Sequence, residues 1–261
     1  PNTPQIEGRL LSNTDWQDEI FRNTFSYDHN FSVRGSLFNM LPIRFSAGYT
    51  KTEGLVKEND YERFTSSVKL TPKFFDDHLK VGVNIKGIKS EKDAIDEGGA
   101  LGGAVNMDPT KPVYNENSIF NGFYQSLNTN NSIDGQWNPL AILMQRSRPE
   151  EIKKILANLE LDYQLHFFTD MRAVVNVGIE SSEVKIKEKY SDNSIATYRL
   201  NNTSNSYIFN PGINYTENQN IDNRTLDAYL AYAKDFDGTI NSFDIQGGYS
   251  YQNFKNDGTK G

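Results

Sequence analysis

The chain has 261 residues, enough for one large domain or two small ones, with a net charge of −7 and no cysteine. The lack of cysteine excludes disulfides, thiolate metal sites and a cysteine nucleophile. No block of Lys and Arg indicates a nucleic-acid partner. The longest clearly apolar run, Pro139–Met144, is far shorter than the roughly 20 residues of a membrane-spanning helix. This excludes a helical membrane protein but not a membrane barrel, whose strands are only half apolar.

The start of the chain carries no secretory signal. Pro1 is followed by neither a charged n-region nor an apolar h-region. A secreted or outer-membrane protein is made with a signal peptide, so either the peptide has been removed or the chain begins inside a longer protein. We expect the second.

Strict alternation of apolar and polar residues is the dominant pattern, and it first occurs in Thr24–Leu37. Such a period of two predicts a strand with one apolar and one polar face. The pattern returns near residues 43–50, 63–70, 79–86, 154–167, 173–179, 226–232 and 243–252. The cleanest case is Ile155–Phe167, whose seven odd positions are apolar or aromatic and carry no charge. The sequence therefore predicts eight strands.

The connections between these strands alternate between short and long. The short ones lie near Ser36–Pro42, Thr71–His78, Phe168–Asp170 and Asp235–Thr239, and the longer ones near Lys51–Asp60, Lys89–Lys153 and Ser181–Ile221. Short periplasmic turns and long extracellular loops are typical of up-and-down outer-membrane barrels. After Ser181 charges take over the apolar positions, which indicates a strand that leaves the bilayer through a bulge, or equally an ordinary soluble hairpin. From the residues alone, a membrane barrel and a soluble all-β domain remain equally good interpretations.

Several segments, in this order, resemble the SusC/RagA family of TonB-linked outer-membrane transporters. They are Asn13–Arg22, His29–Val33, Gly48–Thr50, Gly54–Val56, Tyr61–Phe64, Phe74–Val81, Asp108–Tyr114 and Asn138–Ala141. The resemblance extends over nearly the whole chain. No single motif decides it, but the ordered set is specific.

The resemblance implies an all-β fold in which antiparallel, up-and-down strands form a section of a large transmembrane β-barrel, about eight of some 22 strands. Residues 1–261 would be a partial barrel domain without plug and TonB box, and 89–153 a long extracellular loop. It further implies outer-membrane location and import of a bulky nutrient, an oligosaccharide or less often a peptide. The implied partners are outer-membrane lipid, a SusD-like surface lipoprotein, and a TonB complex that acts on the plug.

Catalytic and metal-binding residues are not predicted, and neither is a cofactor. The three histidines, His29, His78 and His166, are scattered along the sequence. The glycines at 98, 99, 102 and 103 lack the spacing of a nucleotide-binding loop, and we expect flexible loop backbone there. The acidic cluster Glu91–Glu97 lacks EF-hand spacing and is expected to be a solvated loop face.

The long loop supplies the candidate substrate-binding residues, four aromatics and one amide among many Asn and Gln: Phe120, Phe123, Tyr124, Trp137 and Asn138. Aromatic faces stack on sugar rings, and amides bind hydroxyls. The alternative is that these side chains pack the loop against the barrel rim or a partner. Two other functions stay open: a soluble cell-surface all-β glycan-binding module, and a complete eight-stranded barrel, whose filled lumen would exclude import.

Overall fold

The computed structural model of the protein describes residues 5–6, 9–37, 41–201, 206–235 and 242–261. Eight long strands form one sheet: β1 (Tyr27–Leu37), β2 (Leu41–Glu53), β3 (Asp60–Leu70), β4 (Leu79–Asp93), β5 (Pro149–Gln164), β6 (Met171–Tyr190), β7 (Gly212–Asp235) and β8 (Ser242–Lys260). Each strand pairs antiparallel with the next along the chain. This confirms the all-β, up-and-down section of about eight strands.

The strands extend beyond the apolar alternation that predicted them. β4 continues to Asp93 and β5 begins at Pro149, so the irregular connection covers residues 94–148, and the predicted loop 89–153 includes two strand ends. Likewise the connection from β6 to β7 covers only 191–211. Backbone pairing continues there because the hydrogen bonds between strands join main-chain groups, and these bonds do not require apolar side chains.

Two details of the predicted connections are wrong. Because β2 and β3 pair out to Glu53 and Asp60, their connection, 54–59, is shorter than the connection 71–78, and the alternation of lengths is not strict. The expected bulge near Ser181 is absent from the described pairing of β6 with β5 and β7, and the register shifts instead between Glu188 and Lys189. Residues 38–40 and 236–241 of two predicted short connections lie outside the described residues.

Three short helices lie outside the sheet: α1 (Trp16–Ile20) precedes β1, and α2 (Glu97–Asn106) and α3 (Pro139–Met144) lie between β4 and β5, while a 3₁₀ turn at Ile195–Thr197 lies between β6 and β7. The short strand pairs are Gln5–Ile6 with Arg9–Leu10 and Arg199–Asn201 with Ser206–Ile208, while Lys73–Phe74 pairs with β4 and Arg146–Ser147 with β6. The glycine-rich stretch is helical, contrary to our expectation of loop backbone, because Asp96 caps α2 through the Gly99 N–H. Among the described helices, none has the length and hydrophobicity needed to span a membrane.

The register places apolar and polar residues on opposite faces of all eight strands. One row of opposed residues crosses the sheet with one member from each strand: Gly35, Ile43, Leu70, Val83, Leu159, Val177, Leu226 and Tyr251. The neighbouring row on the other face is Arg34, Arg44, Lys69, Asn84, Asn158, Gly178, Thr225 and Gln252. We call the faces that contain these rows the apolar face and the polar face.

In the middle of β6 the apolar face is the more exposed of the two. From Val174 to Glu180 in β6, odd positions, which are apolar, are exposed, and even positions are buried or half-buried. A soluble domain would bury such an apolar face in its core. A large contiguous apolar surface of this kind is typical of an interaction with another apolar phase or partner.

Among the described residues, the two edge strands do not pair with one another. β1 pairs only with β2, and β8 only with β7. Side chains are exposed at every position of β8 and at every position of β1 except Tyr27. The sheet is therefore open, in agreement with the expected wall section and not with a closed eight-stranded barrel.

Candidate functional site

The connection 94–148 is folded around a small core of its own. Trp16 and Ile20 of α1 pack with Ala100 and Ala104 of α2 and with Leu143 of α3. The Trp16 indole N–H donates to the Asp108 carbonyl at 3.0 Å. This core holds the N-terminal helix and the long connection together.

A second core joins the connection 94–148 to the connection 191–211. Phe120 and Ala141 pack against Ile195 and Tyr198, and the rings of Phe120 and Tyr198 meet edge to face at 5.0 Å. Gln145 spans the same contact, since its Nε2 donates to the Phe120 carbonyl and its Oε1 accepts the Ile195 N–H, both at 2.9 Å. The two connections thus form one packed unit.

Asn138 is the polar centre of this unit. Its Oδ1 caps α3 by accepting the N–H groups of Leu140 and Ala141, and its Nδ2 donates to the carbonyls of Val113 and Tyr124. Pro139 follows at the first helical position, where a missing N–H costs nothing. A fully buried amide is tolerated here because every hydrogen-bonding group that it offers has a partner.

A cavity of about 400 Å³ lies between α3, the start of α2 and the 3₁₀ turn. Its apolar wall includes Ile95, Ile142 and Ile195, and the Trp137 indole is 37% exposed at its border. This volume lies within the range of roughly 300–1,000 Å³ that small-molecule sites occupy. The cavity therefore has room for a ring-sized group.

Charged residues line the rest of this cavity. Arg146 forms an ion pair with Glu188 and donates to the Ala94 carbonyl at 3.1 Å. Burial opposes the charge of Arg146, but the hydrogen bond and attraction from Glu188 outweigh burial and raise its pKa. Burial, and then the nearby Glu188 carboxylate, raise the pKa of the Tyr190 phenol, so the phenol stays protonated. Arg199 is exposed and donates to the Tyr198 carbonyl.

The structure separates the five predicted substrate-binding residues into three groups. Phe120 (1% exposed) and Asn138 (0%) have almost no surface that a ligand can contact. Phe123 and Tyr124 are half-buried beside the two cores. Trp137 is the one of the five that lines the cavity. Direct ligand contact by these residues stays a prediction, and Trp137 is best placed for it.

Sequence reasoning did not find the cavity residues Arg146, Tyr190 and Arg199. Arg146 and Arg199 are separated by more than 50 positions, and no motif connects them. The sequence analysis also described the histidines as scattered, whereas in the structure the rings of His78 and His166 stack with their centroids 3.9 Å apart. In the described part of the chain, no group of three or more His, Asp or Glu side chains is placed to hold a metal ion.

No family model matches the chain. The curated relatives include the TonB-dependent receptor SusC of Bacteroides thetaiotaomicron, which is 34% identical in a 264-residue alignment that covers 95% of this chain. The chain belongs to the SusC/RagA family. The TonB-dependent receptor P3 of Formosa agariphila is 27% identical over 95% of the chain. The chain spans only about a quarter of the length of these relatives, 25% for SusC and 23% for P3.

Solved structures of RagAB agree with this SusC/RagA assignment at the level of the fold. The closed-closed state of the RagAB peptide importer matches with a TM-score of 0.69 and 14% identity, and another structure of the RagAB peptide transporter matches with 0.65. Each match covers 96% of this chain and 27% of the other. The family places the chain in the bacterial outer membrane as a section of a β-barrel. The exposed apolar face then has a physical explanation, since lipid is the phase that such a face requires.

Proposed function

We propose that this chain is part of the wall of a transporter that imports a bulky nutrient across the outer membrane, with energy from a TonB complex. The single observation that supports this best is the 34% identity to a TonB-dependent receptor over 95% of the chain. An oligosaccharide is the favoured nutrient, because Trp137 borders a cavity also lined by Asp96, Tyr190 and Arg199. Aromatic faces stack on sugar rings, and such polar groups bind hydroxyls. No catalytic role is proposed.

A peptide is the second candidate for the nutrient. The RagAB structures, which share the fold, are described as those of a peptide importer. Arg199 and Asp96 on the same cavity offer one group of each sign for the termini of a peptide. By the same family likeness, a SusD-like surface lipoprotein is the proposed partner, and a plug outside the described sheet is the proposed contact of the TonB complex.

The test uses the full-length protein in its native outer membrane. Cells that lack the gene should lose uptake of fluorescent oligosaccharides from a defined panel, and the protein should restore uptake. A protonophore, which removes the energy source of the TonB complex, should abolish this uptake. Affinity purification in detergent should recover a surface lipoprotein at equal stoichiometry. Uptake that is independent of the gene for every oligosaccharide and peptide of the panel would contradict the proposal.

Trp137→Ala tests the cavity within the same assay. We expect weaker uptake at low nutrient concentration, while the amount of protein in the membrane stays unchanged. The matched control is Trp16→Phe, which changes a buried indole of the first core and leaves the cavity lining intact. If Trp137→Ala transports normally at every concentration, the cavity is not the outer contact for the nutrient.

A further inference from the structure

The polar face of the sheet divides into a basic half and an acidic half. On β1–β4 it carries seven cations and one acid: Arg34, Arg44, Arg63, Lys69, Lys80, Lys86 and Lys92, with Asp28. On β5–β8 it carries nine acids and three cations: Glu150, Glu160, Asp162, Glu180, Glu188, Glu217, Asp227, Asp235 and Asp244, with Lys154, Arg172 and Lys260. The alternation of polar residues predicted a polar face but not this division.

Among the described residues, the ion pairs of the polar face lie on its acidic half. Five of its acids have a cation within ion-pair distance: Glu150 with Arg148, Asp162 with Arg172, Glu180 with Lys154, Glu188 with Arg146, and Glu217 with Lys260. In the described part of the chain, none of the seven cations of the basic half forms an ion pair. Four acids of the acidic half, Glu160, Asp227, Asp235 and Asp244, are likewise without an ion pair among the described residues, so the polar face carries unpaired negative charge on β5–β8 and a larger unpaired positive charge on β1–β4.

Four of these cations are neighbours, and we call them the cation patch: Arg34, Arg44, Lys69 and Lys86. Arg34 lies directly opposite Arg44, and Arg44 directly opposite Lys69. Lys86 lies opposite Ser67, one step along the same face from Lys69. Like charges in directly opposed positions destabilise a sheet. An anion that lies between them removes this repulsion, and the fork of an arginine matches a carboxylate in two parallel hydrogen bonds.

The surroundings of the cation patch include small neutral hydrogen-bonding groups. A cavity of about 370 Å³ is lined by Arg44 and Lys86 together with Ser46, Ser67 and Asn84. A second cavity, of about 490 Å³, is lined by Arg34, Arg44 and Lys69. Arg44 lines both cavities. Hydroxyls and amides beside cations are suited to a ligand that carries both hydroxyls and carboxylates.

We propose that the cation patch binds the carboxylates of an acidic oligosaccharide that moves along the polar face. The proposal rests on the proposed function, which it extends from a bulky nutrient to an acidic one. The proposal is argued from charge complementarity. A basic surface whose cations form no ion pair among the described residues, with hydroxyl and amide neighbours, faces the lumen of the barrel. A fixed acidic polypeptide over the same patch is the competing occupant, and the experiment decides between them.

The probe is fluorescent hexagalacturonate, with fluorescent maltohexaose as the neutral match, bound to the full-length protein in detergent. We expect hexagalacturonate to bind about tenfold more tightly or better, with an affinity that falls as salt rises. The variant Arg44→Gln/Lys69→Gln/Lys86→Gln should lose this preference, while Arg44→Lys/Lys69→Arg/Lys86→Arg should keep most of it. The control Lys89→Gln/Lys153→Gln/Lys185→Gln removes three cations from the apolar face and should bind as the wild type does.

Three results would overturn the proposal. The first is equal binding of the two probes. The second is no effect of the glutamine variant in a protein that remains folded in the membrane. The third is a carbodiimide cross-link, found by mass spectrometry, between the Lys69 amine and an Asp or Glu of the same polypeptide, because a covered patch is not free for a solute. In each case TonB-dependent uptake of a neutral oligosaccharide would leave the proposed function intact.

Discussion

Leu159 of β5 and Val177 of β6 lie directly opposite each other on the apolar face, and both are more than one-third exposed, at 39% and 37%. Neither is covered by any element of the chain that the structure describes. Contact of these two apolar side chains with lipid is favourable, whereas exposure of the pair and its row to water would be unfavourable. Their neighbours in sequence, Asn158 and Asn176, meet on the polar face, where Asn158 Nδ2 donates to Asn176 Oδ1 at 2.6 Å.

Cysteine labelling tests this orientation in the full-length protein in membranes. We expect Glu160→Cys to react with a water-soluble thiol reagent and Leu159→Cys not to react, because only position 160 faces water. Lys153→Cys is the control, since it shares the face of Leu159 but lies beyond the apolar rows, and it should react. Equal reaction at 159 and 160 would contradict the orientation, and the reverse pattern would reveal a one-residue error of register.

The sequence predicted the strands well and the connections poorly, for a physical reason. A period of two follows directly from a strand with unlike environments on its two faces, so segments such as Ile155–Phe167 are recognisable without structure. The strand ends, such as Glu183–Tyr190, have charges on the outer face and carry no such signal. Pairing still extends through them, because β7 offers a partner at every position up to Gly212.

The candidate site could be predicted less well from the sequence. Residue type alone identified its aromatic candidates but could not show that Phe120 is buried and Trp137 is partly exposed. That difference in burial depends on the contact between two connections that are more than 40 residues apart in sequence. The glycine-rich segment is a helix that lies close to α3, and glycine is needed at the contact because a Cβ on Gly103 would lie 3.1 Å from the Pro139 Cβ. Neither effect leaves a local pattern in the sequence.

The glycines of α2 give a matched pair of predictions. Gly102→Ala should stabilise the connection by about 0.5–1 kcal/mol, because a Cβ there meets open space and the helix gains propensity. Gly103→Ala should lose this gain, because its Cβ would press on Pro139 and on the Trp137 carbonyl. Limited proteolysis within residues 94–148 of the folded protein measures both. Equal protection of the two variants would show that α2 and α3 do not pack as closely as the structure indicates.

Asn138→Ala should open the connection 94–148. The change removes the cap of α3, which costs about 0.5–2 kcal/mol. It also leaves the half-buried Tyr124 carbonyl without its donor, at about 1–3 kcal/mol, whereas the Val113 carbonyl still accepts the Tyr124 N–H. We expect much faster proteolysis between Val113 and Met144, with the strands unaffected. Asn117→Ala, at an exposed position, is the control and should change nothing. If Asn138→Ala resists protease as the wild type does, the four hydrogen bonds of this amide do not determine the stability of the folded connection 94–148.

The partly buried carboxyl of Asp93 predicts that the stability of the folded protein depends on pH. Burial raises the pKa of this carboxyl, and its Oδ1 has no hydrogen-bond partner in the structure. A folded-state pKa above the unfolded value favours the folded state most at low pH, and this contribution is lost as pH rises through the folded pKa. Asp93→Asn should therefore raise the thermal midpoint at pH 7, and the difference should shrink as pH falls below the ordinary range of Asp. A pH-independent difference would exclude the ionisation of Asp93 as its cause.

The edges of the sheet predict how the chain behaves when it is produced alone. Along β1 and β8, one side of the backbone presents N–H and C=O groups that lack a strand neighbour in the described part of the chain. Unpaired edges invite association, and in an apolar medium each unpaired group costs several kcal/mol. We therefore expect the isolated chain to form oligomers or aggregates in detergent, as seen by light scattering.

Hydrogen exchange identifies which edge strands cause the association of the isolated chain. In any monomeric fraction, amides of β1 and β8 that point away from the sheet should exchange rapidly, while those of β4, β5 and β6 should be protected on both sides. In the full-length protein the same edge amides should become protected, because neighbouring strands of a larger barrel pair with them. A stable monomer in which β1 and β8 are both fully protected would mean that the two edges pair with each other. The chain would then close as an eight-stranded barrel with a filled lumen, and the proposed transport function would fall with the wall section.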